Sequence, residues 1–497
     1  MRLSSTLTWL ALSLTIVLAV VSAQDNNNIY NNNNTCYVSN TVTNCQTATS
    51  NITNNICPSV SDCWTLMVGP LRRTLTNAVY IKVQPGVYSE ETIISNFKSV
   101  MPSLEISAVD PSDRPVLNIN VQSFINIDLA QYTNPINVSL LGLIIVDNVG
   151  STEKDMIRVQ ADPQATIGTS NFTFINSTIT NCNRTSSGYY YYSPYSCLNV
   201  KNFNVVMRRS SVTNSTALSN PVVSLRSEKA VVDHSSFTDN TGTSLRFDGN
   251  NFGSLHLSNS KFVNNIGAAF KLDEMGSLAK VEVDNCVFHS NSPNMGPGYG
   301  GAVYIGSSSF NVNYIFKNNV FSNNTASSGS AVYSTTSGSV SFQSCNFTNN
   351  HGDMGTIYIS TYSYSGASLG LVGSQFMNNH GTYNQGIDLY YNNPIDIEGG
   401  IFHTPREPMF AAFPTNSLAT VSMYVESFMS CKTTDQSVYV GEDSGWACLQ
   451  LSYNGDSSSY NNDDGYTLYI WQAIVSSIIL GLTFLVSIGC IVRELLK

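Results

Sequence analysis

Ser235-Ser-Phe-Thr-Asp-Asn240, Ser260-Lys-Phe-Val-Asn-Asn265, Cys286-Val-Phe-His-Ser-Asn291, Asn319-Val-Phe-Ser-Asn-Asn324, Cys345-Asn-Phe-Thr-Asn-Asn350 and Ser374-Gln-Phe-Met-Asn-Asn379 repeat one short phrase, small-x-Phe-x-x-Asn. Weaker copies stand at 177–182 and 210–215, where Ile179 and Val212 take the aromatic position, and at Gly400-Ile-Phe402-His403, where the Asn is lost. Ile145-Val-Asp-Asn148 begins the series. Successive key positions from Ile179 to Phe402 are 33, 25, 25, 26, 33, 26, 29 and 26 residues apart, a floor of 25 with insertions. A second pattern follows each copy after a turn, as in Ser244-Leu-Arg-Phe247, Gly267-Ala-Ala-Phe270, Gly300-Gly-Ala-Val-Tyr304, Gly329-Ser-Ala-Val-Tyr333 and Gly355-Thr-Ile-Tyr358.

Strands this short, separated by Gly and Asn turns and with no helical period, leave few architectures. A leucine-rich repeat needs its Leu/Asn ladder, and a propeller blade needs about 40 residues or more. The expected fold is all-β: a right-handed parallel β-helix, a solenoid of about ten coils, with a C-terminal single transmembrane helix. Equivalent residues then stack in columns about 4.8 Å apart. Phe237, Phe262, Phe288, Phe321, Phe347 and Phe376 form an interior aromatic column, and the residue two before each shares its side by strand alternation. Asn240, Asn265, Asn291, Asn324, Asn350 and Asn379 stand where the chain turns. Asn tolerates the left-handed conformation there, and its amide can bond to the next Asn in the column. These columns hold coils together and carry no chemistry.

The N-terminal part has its own signature, Val79-Tyr-Ile-Lys-Val-Gln-Pro-Gly-Val-Tyr-Ser-Glu-Glu-Thr-Ile-Ile94. It resembles the opening coil of pectin-lyase-like β-helix proteins, which implies an amphipathic segment, here Trp64 to Leu75, capping the first coil. The Gly-Gly-Ala-Val at 300–303 and the Phe-x-x-Asn copies resemble the two alternating motifs of polymorphic outer-membrane proteins. In composition and layout the chain is also similar to Asn-rich β-helix surface proteins of amoeboid protists. The pectin-lyase-like resemblance makes a polysaccharide lyase, hydrolase or esterase the rival function. Gly86-Val-Tyr88-Ser-Glu90 matches the Gly-x-Tyr-x-Glu segment of pectin methylesterases, but the catalytic blocks of that family are absent.

No other catalytic set emerges. Asp233 and Asp284 share a column two coils apart, with Ser258 between them and no Arg or Lys converging, and read as a solvated edge rather than a glycosidase pair. Asp110, Asp113 and Arg114 sit at a turn marked by Pro111 and Pro115, where salt bridging is their expected role. The six histidines, His234, His256, His289, His351, His380 and His403, have no metal-ligand spacing and read as exposed turn residues. No cofactor and no metal are expected.

Met1-Arg2, an apolar run from Leu7 to Val21 and Val21-Ser22-Ala23 have the layout of a secretory signal peptide covering residues 1–23. The uncharged run 470–492 is long enough to cross about 30 Å of hydrocarbon. Tyr466, Tyr469 and Trp471 stand at its start, so the membrane segment is taken as 466–492, with Arg493 to Lys497 as a cytoplasmic tail. A glycolipid-anchor signal after Ser457-Ser458-Ser459 is the alternative, disfavoured by the charged end of the tail. Between lie an Asn/Cys-rich segment (24–65), the solenoid (66–405) and a C-terminal cap with juxtamembrane region (406–465). The expected location is the plasma membrane or an endomembrane, with the ectodomain outside or lumenal.

Only 11% of the chain is charged, and the net charge of −10 comes without a Lys/Arg cluster, which excludes a nucleic-acid partner. Nine sequons, at Asn33, Asn51, Asn137, Asn171, Asn176, Asn183, Asn214, Asn323 and Asn346, agree with secretion. In that oxidising compartment Cys182 is expected to pair with Cys197 and Cys431 with Cys448, and Cys36, Cys45, Cys57 and Cys63 among themselves. Cys286 and Cys345, two coils or about 10 Å apart, exceed the disulfide limit and are expected to be free buried thiols. A rigid, weakly charged Asn/Tyr/Ser-rich rod suits recognition or adhesion, through a glycan or a surface protein, without catalysis. A polysaccharide-acting enzyme and a passive coat or spacer are the alternatives.

Overall fold

A computed structural model describes residues 34–47, 55–68, 78–91, 93–95, 102–129, 135–150, 152–161, 170–184, 195–218, 220–276, 279–293, 298–306, 312–359 and 369–380, and beyond them the strand segments 389–391, 395–398, 401–403, 410–412, 420–424 and 439–440. The signal peptide, the run 466–492, Cys431, Cys448, Asn33 and Asn51 lie outside the described residues. Among the described residues no helix is long and apolar enough to cross a membrane.

Each coil contributes three short strands. In one coil these are Lys280–Asp284, Val287–His289 and Val303–Ile305; in the next they are Asn313–Lys317, Val320–Ser322 and Val332–Ser334. Each strand pairs in parallel with its counterpart, Lys280 with Asn313, Val287 with Val320 and Val303 with Val332. The same connectivity repeats along the chain and makes a parallel β-solenoid with three faces. Face two is a twelve-stranded sheet from Val87–Glu90 to Ile401–His403. Faces one and three merge into one sheet because Val223–Asp233 and Leu245–Ser258 run unbroken from face three of one coil into face one of the next.

Twelve rungs exceed the expected ten because the earliest do not carry the Phe-x-x-Asn phrase. Tyr88, Leu117 and Ile145 precede Ile179 and Val212 in register with Phe237, and all are buried aliphatic or aromatic side chains. The phenylalanine column itself is a continuous face-to-face stack. Centroids from Phe237 through Phe262, Phe288, Phe321 and Phe347 to Phe376 are 4.5 to 4.9 Å apart, with planes within 10°. Strand spacing sets this distance, so the stack and the β-ladder reinforce each other.

The small column two residues earlier is a hydroxyl relay. The N–H groups of Ser177, Ser210 and Ser235 donate to the hydroxyls of Ser210, Ser235 and Ser260 on the following rung, at 3.0 to 3.4 Å. Asn319 continues it by accepting the Cys286 N–H at 2.8 Å. Cys286 and Cys345 sit in this column as free buried thiols, and burial pushes each up to about 12.

The asparagine column is deeper than expected. Asn240, Asn265, Asn291, Asn324 and Asn350 are fully buried, and the left-handed residue is the one before each, Asp239, Asn264, Ser290, Asn323 and Asn349, with φ of 53° to 55°. The division has a physical reason: the exposed residue takes the left-handed corner, which leaves its successor to point inward. There Asn291 Nδ2 donates to Phe262 O and to Asn324 Oδ1, both at 3.0 Å, and its N–H donates to the same Oδ1. Asn265, Asn324 and Asn350 repeat the pattern.

At the N-terminal end the sheet starts with Asn55–Cys57, Thr35–Val38 and Val79–Val83 in that spatial order. The helix Val60–Val68 packs against them and is tied to Thr35–Val38 by the disulfide Cys36–Cys63, while Cys45–Cys57 joins Asn55–Cys57 to the residues before it. Glu90 of the Gly-x-Tyr-x-Glu segment is buried and caps that helix. It accepts the N–H groups of Val60 and Ser61 at 2.8 and 2.9 Å and the Ser61 hydroxyl at 2.6 Å, meeting orphan donors of the first turn. The third disulfide, Cys182–Cys197, closes the segment 183–196.

Replacing Asn291 by Ala leaves the buried Asn265 N–H and one Asn265 Nδ2 hydrogen without their acceptor. The expected loss is about 2–4 kcal/mol, from roughly 1–3 kcal/mol for each unsatisfied buried group. Urea unfolding of the ectodomain measures it; a loss under about 1 kcal/mol would mean the ladder is dispensable.

Candidate functional site

The acidic groups singled out by sequence do not converge. Asp233, Ser258 and Asp284 are register partners on successive rungs of face one. Asp233 Oδ1 accepts from the Ser258 hydroxyl at 2.8 Å and Asn259 Nδ2 at 2.9 Å and pairs with His234 at 2.9 Å, while Asp284 accepts separately from Asn318. Burial raises the Asp233 pKa, but hydrogen bonds from Asn259, His234 and Ser258 outweigh it, so this carboxyl is held below its ordinary value. It is no proton donor near neutrality.

Asp110 accepts from Ser112 in its own turn, and Arg114 reaches across to Asn176 O and Thr178 Oγ1, both at 3.1 Å. The salt-bridged turn is thus replaced by a turn capped on one side and an arginine bracing later rungs on the other. His289 bonds to Ser322 and His256 lies 3.9 Å from Glu282. The sulfurs of Cys36, Cys57 and Cys63 lie within 4.8 Å of one another but belong to disulfides, which removes them as metal ligands.

A different constellation lies on the outside of face three. Register places Ser224, Arg246, Lys271, Tyr304, Tyr333 and Tyr358 in one column on six successive rungs, and Tyr390 takes the next register position. At one strand spacing per rung the column spans about 24 Å. The flanking Val303, Ile305, Val332 and Ile357 are buried, so alternation turns the tyrosines outward. Corner glycines make the approach possible: Gly300, Gly329 and Gly355 have φ of 66°, 60° and 62°, and a Cβ at Gly300 would come within 2.6 Å of Val303 O.

The tyrosines stack on one another. Tyr304 to Tyr333 is 5.4 Å and Tyr333 to Tyr358 is 5.0 Å between centroids, with planes 23° and 7° apart. Parallel stacking covers ring faces and Tyr333 is only 7% exposed, so this part of the column offers a ligand ring edges and hydroxyls at Tyr304 and Tyr358, on either side of it. Tyr299, tilted 35° against Tyr333 and 53% exposed, offers a face. Lys271 Nζ sits 4.8 Å from the centre of the Tyr304 ring and 2.9 Å from Asp273 Oδ2, joining the tyrosines to a charged cluster.

In that cluster Arg246 Nε contacts Asp248 Oδ1 at 2.7 Å and Asp273 Oδ2 at 3.5 Å. Arg226 pairs with Glu274 at 3.0 Å. Asp273 lies over Gly306, where a Cβ would collide with Asp273 Oδ1. Asp248 is only 6% exposed, and burial drives its pKa up to about 6; Arg246 pulls it down, while Asp273 and Glu274 push it up again. Asp248 and Asp273 are register partners on adjacent rungs, about 4.8 Å apart in backbone spacing.

Arg184 and Asp147 form a second ion pair, fully buried at 2.8 Å beside the Cys182–Cys197 disulfide. Thr152 and the Asn183 carbonyl also accept from Arg184, and Asp155 bonds to Ser196 and Asn199. With no side-chain exposure on either partner, this pair braces the insertion and presents nothing to a ligand.

The seven described sequons avoid face three. Asn137 and Asn171 are exposed on face one, Asn176, Asn183, Asn214 and Asn323 sit at corners bordering face two, and Asn346 is on face two itself. Asn183 Oδ1 is buried without a partner, whereas Asn214 and Asn323 are exposed.

Sequence reading missed the face-three site because the second pattern was aligned by its last large residue. Leu245, Phe270 and Val303 are the true register partners, so Phe247 and Phe270 point inward where Tyr304 points out. Placing outward residues in columns after fixing that register would have found it. No protein-family model, curated protein or solved structure matches the chain.

Between about pH 4 and 6 the folded chain holds a proton on Asp248 that the unfolded chain has released, since its folded pKa is raised from 3.8 to about 6. Its contribution to stability is therefore full below that window and is lost as pH rises through it. Asp248→Asn should remove this component: the urea-midpoint difference between wild type and variant changes across pH 4 to 6 and is flat above 7. A difference independent of pH would contradict the buried-acid assignment.

Proposed function

We propose that this chain is a single-pass surface or endomembrane glycoprotein whose ectodomain binds a linear glycan along face three. The column Tyr358–Tyr333–Tyr304–Lys271–Arg246 carries this reading. An array of hydroxyls, aromatic edges and ion-paired groups, repeating at each strand spacing, suits an extended polymer with its own short repeat better than a compact ligand. Tyr299 supplies the stacking face, and Arg226, Arg246 and Lys271 supply donors for hydroxyl or carboxylate groups.

The sequon distribution supports the same face. Glycans on faces one and two and their corners would shield those surfaces and leave the tyrosine column bare. The solenoid is right-handed in this reading, as parallel strand connections are in about 98% of cases. Kinship with the pectin-lyase-like superfamily rests on the Val79–Ile94 signature and on the helix capped by Glu90. Residues 1–23 direct secretion and 466–492 anchor the chain, with Arg493 and Lys497 on the cytoplasmic side.

One observation favours a second reading, a polysaccharide hydrolase: the buried Asp248, with its raised pKa, stands beside Asp273. In it Asp248 is the acid and Asp273 the nucleophile or base.

Glycan-array binding and reducing-end release by the secreted ectodomain separate these readings. Binding should appear without turnover, and Tyr299→Ala or the pair Tyr304→Phe and Tyr358→Phe should weaken it about tenfold, roughly 1.4 kcal/mol, with unchanged melting. Turnover lost in Asp248→Asn would establish the hydrolase instead, and neither binding nor turnover would leave a passive coat. In membranes, the full chain should resist alkaline carbonate extraction and phosphatidylinositol-specific phospholipase; release by the lipase would mean a glycolipid anchor.

A further inference from the structure

The corner after each buried asparagine carries a second, outward column, and on two successive rungs that column is histidine. His351 and His380 are in-register parallel partners, and both are exposed. Their backbones are fixed side by side: His351 N–H donates to Asn324 O at 2.8 Å, Gly352 N–H to His380 O at 2.9 Å and His380 N–H to Asn350 O at 2.8 Å. In-register partners project their side chains in the same direction, about 4.8 Å apart at the backbone. No other two histidines among the described residues are register partners. No hydrogen bond or ion pair engages either imidazole among the described residues.

We infer that His351 and His380 form an exchangeable binding site for a borderline divalent cation, Zn²⁺ or Cu²⁺. Imidazole nitrogen is the ligand such ions favour over hard oxygen donors, and bonds of about 2.0–2.1 Å allow two rings on adjacent rungs to lean onto one ion. Water completes the shell, since among the described residues neither histidine belongs to a group of three or more His, Cys, Asp or Glu whose ligand atoms lie within 4.8 Å of one another. The ion bridges two rungs near the C-terminal part of the repeat, so binding stabilises the folded coils over the unfolded chain. Because neutral imidazole is the ligand, protons compete with the ion and binding weakens as the pH falls.

The test is copper electron paramagnetic resonance on the untagged full-length protein in detergent, with one equivalent of Cu²⁺. Wild type should show coupling to two imidazole nitrogens at pH 7.5 and lose it by pH 5. His351→Gln and His380→Gln should each leave one nitrogen and weaken binding at least tenfold. Zn²⁺ should raise the melting temperature of wild type and not of either variant, and circular dichroism of the metal-free variants confirms that both fold. No nitrogen coupling in wild type, or a two-nitrogen spectrum that persists in either variant, overturns the site.

Discussion

The interaction on which the solenoid depends is the hydrogen bonding of buried asparagine amides at the corner after face two. A parallel coil must reverse direction there while its backbone stays inside, and a corner cannot form ladder bonds to every carbonyl. Each amide resolves the problem across three positions: it takes the carbonyl of the aromatic residue one rung back, accepts the preceding asparagine's N–H, and donates to the next amide. An unsatisfied group at this depth costs roughly 1–3 kcal/mol, so a single break is comparable with much of a domain's net stability. The stacked phenylalanines add area and dispersion, but they tolerate exchange for Ile179 or Val212. The amide tolerates less, and where it is absent a hydroxyl or disulfide takes its place: Ser215 accepts the Cys182 N–H and donates its own to Asn240 Oδ1.

The ladder also fixes register, and register determines what reaches the surface. A slip of one residue would turn every amide outward and every phenylalanine with it, so competing pairings are strongly disfavoured. Insertions are then confined to corners, which is why the repeat lengthens from 25 to 33 residues without disturbing the columns. With the inward positions settled by packing, the outward residue between two buried neighbours is free of any duty to the fold.

This division explains how much was legible in the sequence. Inward columns repeat because their surroundings repeat, so Phe237 to Phe376 and Asn240 to Asn379 can be stacked by eye, as can the separation that keeps Cys286 from Cys345. The left-handed residue was misplaced by one position because Asn264, Asn323 and Asn349 precede another Asn, and the letters alone do not say which of the pair turns. The rungs at Tyr88 and Leu117 escape the count because neither carries the Phe-x-x-Asn phrase. The role of Glu90 was hidden because its partners, Val60 and Ser61, lie about thirty residues away in a different element. The face-three site was hidden for a deeper reason: Arg246, Lys271 and Tyr304 do not resemble one another, and only the ladder places them in line.

Charge distribution strengthens the functional reading of that line. In a chain with 11% charged residues, Arg226, Arg246, Asp248, Lys271, Asp273 and Glu274 occupy three neighbouring rungs of one face. Stability alone gives little reason for this, because exposed ion pairs are worth about 0–1 kcal/mol and desolvating Asp248 works against folding where it ionises. The three cations and three anions cancel near neutrality, and protonating Asp248 leaves an excess of one positive charge where the tyrosine stack ends. A ligand lying along the column therefore meets hydroxyls and ring edges over one stretch and an adjustable charge at its end. Packing alone gives no reason for a buried acid there, whereas the proposed recognition of a polymer with occasional carboxylates does.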